Sequence, residues 1–306
     1  MKLNIKFLVG SLLLACTTSA NAIFINFDYS LDNKNFFSNQ ARKDVLNSAG
    51  HFFENRLNDQ LGAISSAGNN KFNINFSRPD TGKTQTKNDF SVAADTLTIF
   101  AGGRTFSGSI LGQGGSGGFG ASGTATFIES LKRGQGNVSG STATDFAPWG
   151  GSIAFDLDSV WYFDNDTRIN DVPSGKSDFF SVALHELGHV LGFGTADSWK
   201  NLISGTNFTG ANSVTVNNGN PVMLDSGLAH WKNGTLSLVD GVSQEAAMDP
   251  SISVGSRKAF TNLDLAGLQD IGWEVAVVPV PPALLLFSSA LFGLAVLRKK
   301  LHNMST

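Results

Sequence analysis

The chain has 306 residues, of which 41% are hydrophobic and 15% charged, and its 22 Lys and Arg against 25 Asp and Glu give a net charge of −3. All of the acidic residues and all but five of the basic ones lie within residues 23–274, so this central part carries a net charge of −8. That balance argues against nucleic acid or an anionic membrane surface as a partner.

The first 22 residues are typical of a secretory signal peptide. Two lysines precede an apolar stretch at 7–15, and Ala20-Asn21-Ala22 forms a small-residue cleavage site, so the mature chain would begin at Ile23. Residues 13–16 also loosely resemble a lipoprotein box, which would place a lipid on Cys16. Because Cys16 is the only cysteine, the cleaved chain would have neither disulfides nor a catalytic thiol.

The first part of the mature chain mixes strand and helix patterns. Alternation of apolar and polar residues predicts strands, and apolar spacings of three and four predict a helix. The predicted elements are a strand at 23–28, a helix within 36–64, and strands at 72–76 and 97–100. The apolar residues at 36–64 have helical spacing, and Gly62 could end that helix. His51 falls inside the predicted helix among apolar neighbours, where we expect a structural role for it.

Residues 102–123 are very rich in glycine. They include Gly112-x-Gly114-x-x-Gly117, which matches the fingerprint of dinucleotide-binding proteins. That fingerprint requires a helix whose N-terminus faces a phosphate, and no apolar helical pattern follows here. The sequence therefore predicts a long surface loop and no nucleotide site.

A strand is predicted at 149–156, and an acidic segment follows it. Its aspartates are Asp156, Asp158, Asp164, Asp166, Asp171 and Asp178. Such clusters can bind hard cations, but the spacing fits no known calcium loop. A solvated acidic loop is the favoured interpretation, with a structural Ca²⁺ site as the alternative.

The stretch His185-Glu186-Leu187-Gly188-His189 carries the strongest chemical signal in the chain. On a helix, His185 and His189 lie one turn apart on the same face, so both imidazoles can bind one metal ion. Glu186 lies beside that face, where a general base belongs in a zinc hydrolase. Gly192 can adopt the left-handed conformation that ends such a helix. The motif therefore predicts a catalytic zinc site.

A catalytic zinc site normally has three protein ligands. In the compact metzincin pattern the third ligand lies three residues after the glycine, where this chain has Thr195. Of the other histidines, His51 lies in the predicted N-terminal helix and His302 in the tail, which leaves His230. Asp197 is the alternative, because a carboxylate can bind zinc and it lies close to the helix.

The order of these motifs resembles the leishmanolysin-like branch of the metzincins. That branch has the His-Glu-x-x-His-x-x-Gly helix, an insertion, a distant His-Trp and a methionine turn, which correspond here to 185–192, His230-Trp231 and Met248-x-Pro250. The resemblance extends from about Phe179 to Trp273. It implies that His230 is the third zinc ligand and that Met248 forms a packed floor beneath the histidines.

The same resemblance implies an α+β fold. We expect a mixed twisted sheet with backing helices, an active-site helix and a smaller C-terminal subdomain that ends in an amphipathic helix at 262–273. The strand around Ile153 to Asp156 could form the edge of the cleft and pair with an extended peptide. No Pro- or Ser-rich linker divides residues 23–274, so we expect one metallopeptidase-like domain there.

The C-terminal segment, residues 275–306, is uncharged from Val275 to Leu297 and then carries Arg298-Lys299-Lys300. One interpretation is a plain membrane anchor with its basic end in the cytoplasm. The proline motif at 278–282, the short apolar run and the basic cluster also resemble a PEP-CTERM sorting signal, although Val280 replaces the usual glutamate. This resemblance implies removal of the tail by an exosortase and delivery to the cell surface or extracellular matrix of a Gram-negative bacterium.

Together these features predict a secreted zinc-dependent endopeptidase that hydrolyses protein or peptide substrates, with Glu186 as the general base. The alternative is a non-catalytic matrix or adhesive protein that keeps the fold but has lost zinc. Thr195 favours the alternative, whereas Glu186 and His230-Trp231 argue against it.

Overall fold

We describe the protein from a computed structural model, which covers residues 23–164, 166 and 170–276. The predicted signal peptide with Cys16, and the tail from 277 to 306 with His302, lie outside the described residues. Within the described part, no helix combines the length and the apolar character needed to cross a membrane.

The secondary structure consists mainly of short elements. In chain order the strands are β1 Phe24–Asp28, β2 Lys71–Ser77, β3 Thr84–Lys87, β4 Thr96–Arg104, β5 Gly112–Ser116, β6 Gly118–Ser122, β7 Gly150–Asp156, β8 Trp161–Tyr162, β9 Ser177–Asp178, β10 Ile203–Ser204, β11 Asn207–Phe208, β12 Val222–Met223, β13 Leu236–Val239 and β14 Val242–Glu245. The helices are α1 Gln40–Glu54, α2 Ala125–Ser130, α3 Phe179–Val190, α4 Asp197–Asn201, α5 Ala211–Val216 and α6 Asn262–Asp270. The fold is therefore mixed α+β, as the sequence predicts.

A four-stranded sheet in the order β1-β4-β7-β5 supports the rest of the structure. The first three strands run parallel, and β5 pairs antiparallel with β7 at the edge. All seven residues of β7 are buried, and β7 has a neighbour on each side. The prediction that the strand around Ile153 to Asp156 forms the edge of the cleft is therefore wrong, because β5 occupies the edge of the sheet.

The glycine-rich stretch is not a long loop, because it contains β5 and β6. Its glycines let β5 lie directly against α3. A Cβ atom at Gly112 would come within 2.8 Å of the Glu186 Oε1 atom, and one at Gly114 would overlap the Glu186 carbonyl oxygen. Gly112-x-Gly114-x-x-Gly117 therefore lies on an edge strand and just after it, not on a turn between a strand and a helix.

The first long helix is shorter than predicted, since α1 ends at Glu54. Leu57 and Leu61 continue the apolar spacing and are buried, but they belong to the irregular segment after the helix, where Leu57 pairs with Val275. His51 is not in an apolar setting: its side chain is 64% exposed and its Nδ1 atom contacts Glu54. His51 is not among the histidines that come together at the motif helix.

The last helix, α6, ends at Asp270 and not at Trp273 as predicted. Its predicted apolar face is buried, including Ile271 directly after the helix. The side chain of Thr261 accepts a hydrogen bond from the Asp264 backbone N–H, and the Asp264 side chain accepts one from the Thr261 backbone N–H. This capping box fixes the start of α6 below the loop that contains Met248.

Candidate metal centre

The helix α3 carries the first two candidate ligands and is fixed at its N-terminus. Asp178 caps it by accepting hydrogen bonds from the backbone N–H and the hydroxyl of Ser181, at 3.1 and 2.6 Å. The guanidinium of Arg257 binds both oxygens of Asp178, at 2.8 and 3.0 Å. Because Asp178 is fully buried, this ion pair holds the start of the helix in one position relative to the C-terminal part of the chain.

Three imidazole rings converge beside α3. The Nε2 atom of His189 lies 3.1 Å from Nε2 of His185 and 3.0 Å from Nε2 of His230. His185 and His189 are one helical turn apart, whereas His230 comes from the loop between β12 and β13. Among the described residues, these three form the cluster whose ligand atoms could hold one metal ion.

The Nδ1 atoms of His185 and His189 make contacts that determine which ring nitrogen carries the proton. Nδ1 of His185 lies 2.7 Å from the carbonyl oxygen of Ala247, and Nδ1 of His189 lies 2.9 Å from that of Phe193. A carbonyl oxygen can only accept, so each Nδ1 donates a proton to it and each Nε2 presents a lone pair. Two lone pairs at about 3 Å repel each other, and a cation between them would relieve that repulsion.

The donor set fits zinc. Three nitrogens around tetrahedral Zn²⁺ with bonds of about 2.0–2.1 Å lie roughly 3.3 Å apart. The two contacts of the His189 Nε2 atom, at 3.1 and 3.0 Å, are close to that separation, and all three ligand atoms lie within 4.8 Å of one another. Burial and the neighbouring imidazoles lower the pKa of His185 well below its usual value and lower the pKa of His189 to about 4. Both rings are therefore neutral near pH 7, which is the state that binds metal.

Glu186 lies beside the histidines in the wall of a cavity of about 540 Å³, which extends from β5 to the loop after Met248. Burial raises the pKa of Glu186 to about 8, and a hydrogen bond from the Gly114 backbone N–H acts in the opposite direction. A nearby divalent cation would favour the ionised form. The arrangement places this carboxyl group next to the candidate cation site inside a cleft.

Met248 is completely buried and lies against α3. A Cβ atom at Gly188 would come within 2.6 Å of its sulfur, so the glycine in the motif lets this methionine pack directly below the helix. Asp264 holds the turn in place by accepting hydrogen bonds from the backbone N–H groups of Ala247 and Met248, at 2.9 and 3.1 Å. The turn in turn orients His185 through the Ala247 carbonyl oxygen.

The structure places the predicted residues in two groups. His185, His189 and His230 come together with Glu186 next to them, and Met248 packs below. The alternative ligand Asp197 lies elsewhere, where it accepts a hydrogen bond from the Gly140 N–H and pairs with Lys200. Thr195 donates its hydroxyl hydrogen to the carbonyl oxygen of His189.

Two residues of the site were not foreseen from the sequence. Asp264 receives hydrogen bonds from the methionine turn and from the indole of Trp231, and its only sequence signal is the capping pattern with Thr261. Asp225 contacts the ring of His230 and has no motif of its own. In the acidic segment, the carboxylates of Asp156 and Asp178 already accept hydrogen bonds from other groups of this chain. Binding of Ca²⁺ remains a prediction.

Residues 130–218 match the family model of Matrixin (Peptidase_M10), which supports a metzincin-type family. The match includes α3 with its two histidines and ends before His230. It spans 89 of the 306 residues (130 to 218), which is less than half of the chain. It suggests a zinc metallopeptidase, and the cluster of three histidines could bind the zinc. No curated protein and no solved structure matches the chain significantly.

Proposed function

We propose that this protein is a secreted zinc endopeptidase in which His185, His189 and His230 bind the metal and Glu186 is the general base. The observation that carries the proposal is the convergence of three imidazole nitrogens, two of them with their lone pairs fixed inward, next to a buried carboxylate. The leishmanolysin-like order of the motifs belongs to the same proposal, since the third ligand follows an insertion.

Each residue then has a definite task. The three imidazoles bind the metal as neutral ligands, and their Nδ1 partners keep the rings in orientation. A zinc ion held by these residues would act as a Lewis acid toward the scissile carbonyl group and would lower the pKa of a water molecule. Glu186 accepts the proton of the attacking water and delivers it to the amine that leaves.

The edge strand β5 supports a peptide as the substrate. It lies next to Glu186 and has a sheet neighbour, β7, on one side only. An extended peptide could add to such an edge through main-chain hydrogen bonds, which would bring its carbonyl groups to the cavity. Gly115 lies in open space, since a Cβ atom there would meet nothing within 4 Å. Because glycine has no side chain, nothing at this position would block the approach of a peptide.

Substitution of Glu186 tests the mechanism. We expect Glu186→Gln to keep about one equivalent of zinc and to lose activity by roughly 10²–10⁴-fold or more in a peptide-library assay, because only the base is removed. Metal content by elemental analysis is the control. A metal-replete Glu186→Gln protein with full activity would contradict the mechanism.

Substitution of the two candidate third ligands tests the metal site. His230→Ala should lose zinc and activity, whereas Asp197→Ala should keep both, because Asp197 binds Gly140 and Lys200 instead. If the unmodified chain contains no zinc and cleaves no peptide, the non-catalytic matrix or adhesive protein becomes the better interpretation.

The destination of the protein is a further part of the proposal. We infer secretion through the N-terminal signal and removal of the C-terminal tail by an exosortase-like enzyme, on the strength of Pro279-Val280-Pro281 and the basic cluster that follows the apolar run. Intact-mass analysis of protein from the cell surface or medium should show ends at Ile23 and near Pro281. Recovery of only full-length protein in the membrane fraction would support a simple anchor.

A further inference from the structure

We propose that Asp225 is a positioning residue that sets the tautomer and orientation of His230 and so makes the third position of the metal site competent. The inference rests on the proposed zinc site. It concerns a residue that takes no part in the motifs, and it explains how a ligand supplied by a loop can replace the one that is missing at Thr195.

The loop from Asp225 to His230 closes on itself. The Asp225 N–H donates to the His230 carbonyl oxygen at 3.0 Å, and the neighbouring pair Leu224 and Trp231 forms an antiparallel bridge. The Oδ1 atom of Asp225 accepts the backbone N–H groups of Ala229 and His230, at 3.1 and 3.2 Å. One carboxylate oxygen is therefore used to shape the loop.

The second oxygen of Asp225 faces the imidazole. Its Oδ2 atom lies 3.3 Å from Nδ1 of His230, while Nε2 of His230 points to His189. A carboxylate accepts the Nδ1 proton and leaves Nε2 with a lone pair, which is the tautomer that a metal needs. The same side chain thus holds both the backbone and the ring of the ligand.

His230 differs in this respect from the other two ligands. His185 and His189 both lie on the helix α3, and their rings are oriented by the backbone carbonyl oxygens of Ala247 and Phe193. His230 lies in a loop, and its ring partner is a side chain. The third position can therefore be weakened by a single substitution that leaves every ligand in place.

Asparagine at 225 cannot serve both partners. It has one acceptor oxygen, and if that oxygen keeps the two backbone N–H groups, its NH₂ group faces Nδ1 of His230. The ring must then accept at Nδ1 and carry its proton on Nε2, which removes the lone pair from the metal site. If the amide is reversed, the backbone N–H groups lose their acceptor instead.

The matched control is Asp197. Asp197 and Asp225 are the two acidic residues between Thr195 and Ala229, and the side chain of Asp197 is 41% exposed and makes no contact with the histidines. The full-length chain is compared as Asp225→Asn and Asp197→Asn. Zinc affinity is measured by competition with a chromogenic chelator, and the unfolding temperature of each metal-free protein is recorded.

We expect Asp225→Asn to weaken zinc binding by roughly 10–100-fold, as is typical when the outer partner of a ligand is removed. Asp197→Asn should bind zinc like the unmodified chain, and all three metal-free proteins should unfold within about 4 °C of one another, since water can replace an acceptor at these partly exposed carboxylates. Equal zinc affinity in Asp225→Asn, or equal weakening in both variants, would overturn the proposal. A metal-free Asp225→Asn protein that is unfolded would also overturn it, in favour of a purely structural role.

A second readout does not depend on zinc. Nitrogen NMR of labelled histidines in the metal-free chain should show the proton of His230 on Nδ1, and on Nε2 in Asp225→Asn, with His230→Ala used for assignment. The same tautomer in both proteins would refute the role of Asp225. If the unmodified chain binds no zinc, the proposed function fails, but the tautomer still tests Asp225.

Discussion

Asp264 links the last helix to the candidate metal site, and its replacement by asparagine tests how much this link contributes to stability and zinc binding. Its two oxygens accept hydrogen bonds from five donors. Four of these are N–H groups that cannot turn away, on Trp231, Ala247, Met248 and Thr261, at 2.7 to 3.1 Å. The residue is fully buried, so water cannot replace a lost acceptor.

An asparagine at 264 retains one acceptor oxygen. In either orientation of the amide, two of the four N–H groups then face an NH₂ group, and one of them belongs to the methionine turn. A buried donor without an acceptor costs about 1–3 kcal/mol, so two cost about 2–6 kcal/mol. Burial raises the pKa of Asp264, which means that removing its charge recovers part of this loss.

We expect the hydrogen bonds to outweigh the charge, because five donors surround one carboxylate. Asp264→Asn should lower the unfolding temperature by roughly 5–20 °C in calorimetry. It should also weaken zinc binding, since the shifted turn carries the Ala247 carbonyl oxygen that orients His185. An unchanged unfolding temperature together with unchanged zinc affinity would refute this reasoning.

The control is Asp270→Asn on the same helix. Asp270 is only partly buried and accepts hydrogen bonds from the N–H groups of Asn212 and Ser213, at 2.8 and 2.9 Å. Water can replace an acceptor there, so we expect a loss within about 1 kcal/mol and no change in zinc affinity. A similar loss of stability in Asp264→Asn and Asp270→Asn would mean that the negative charge on the helix, and not the buried hydrogen bonds, determines the stability.

Three further results are expected. Burial raises the pKa of Asp59 from 3.8 to about 6. The stability that its protonated form contributes is therefore complete below about pH 4 and is lost as the pH rises through 6. In urea unfolding, Asp59→Asn should be more stable than the unmodified chain by about 1–3 kcal/mol at pH 8 and equal to it at pH 4. Removal of zinc with a chelator should lower the unfolding temperature, by an amount that corresponds to about 2.7 kcal/mol when free zinc was at 100 times its Kd. Gly188→Ala, whose Cβ atom would lie 2.6 Å from the Met248 sulfur, should cost about 1–3 kcal/mol and weaken zinc binding, and normal values of both would show that the methionine can move aside.

The parts of the site that lie on one helix could be predicted from the sequence. His185, Glu186 and His189 are related by helical spacing alone, and the left-handed φ of 98° at Gly192 agrees with the expected end of the helix. His230 could be reached because few histidines are available. Spacing and composition carry this information without any knowledge of distant contacts.

The strand β5 could not be predicted, for a physical reason. Its pattern of buried and exposed side chains is missing because Gly112 and Gly114 have no side chains, and they have none because α3 lies directly against them. Similarly, Leu57 and Leu61 are buried by distant parts of the chain and not by a continued helix, so apolar spacing alone extended α1 too far. In each case a tertiary contact determines the residue type, and local periodicity misleads.

Asp225 and Asp264 support the candidate ligand His230 and its neighbour, and neither could be predicted from the sequence. They also bear on the choice between a zinc endopeptidase and a protein that has lost zinc. Thr195 by itself favours a chain that has lost zinc, but His230 compensates only if its ring is held with Nε2 free. Asp225 does this through Oδ2, and Asp264 holds the indole of Trp231 directly after the ligand. Asp264 is also needed for the start of α6, whereas the Oδ2 atom of Asp225 is directed at the ring of His230. Under the proposed function this second contact offsets the missing histidine at Thr195, and the zinc affinity of Asp225→Asn separates the two candidate functions.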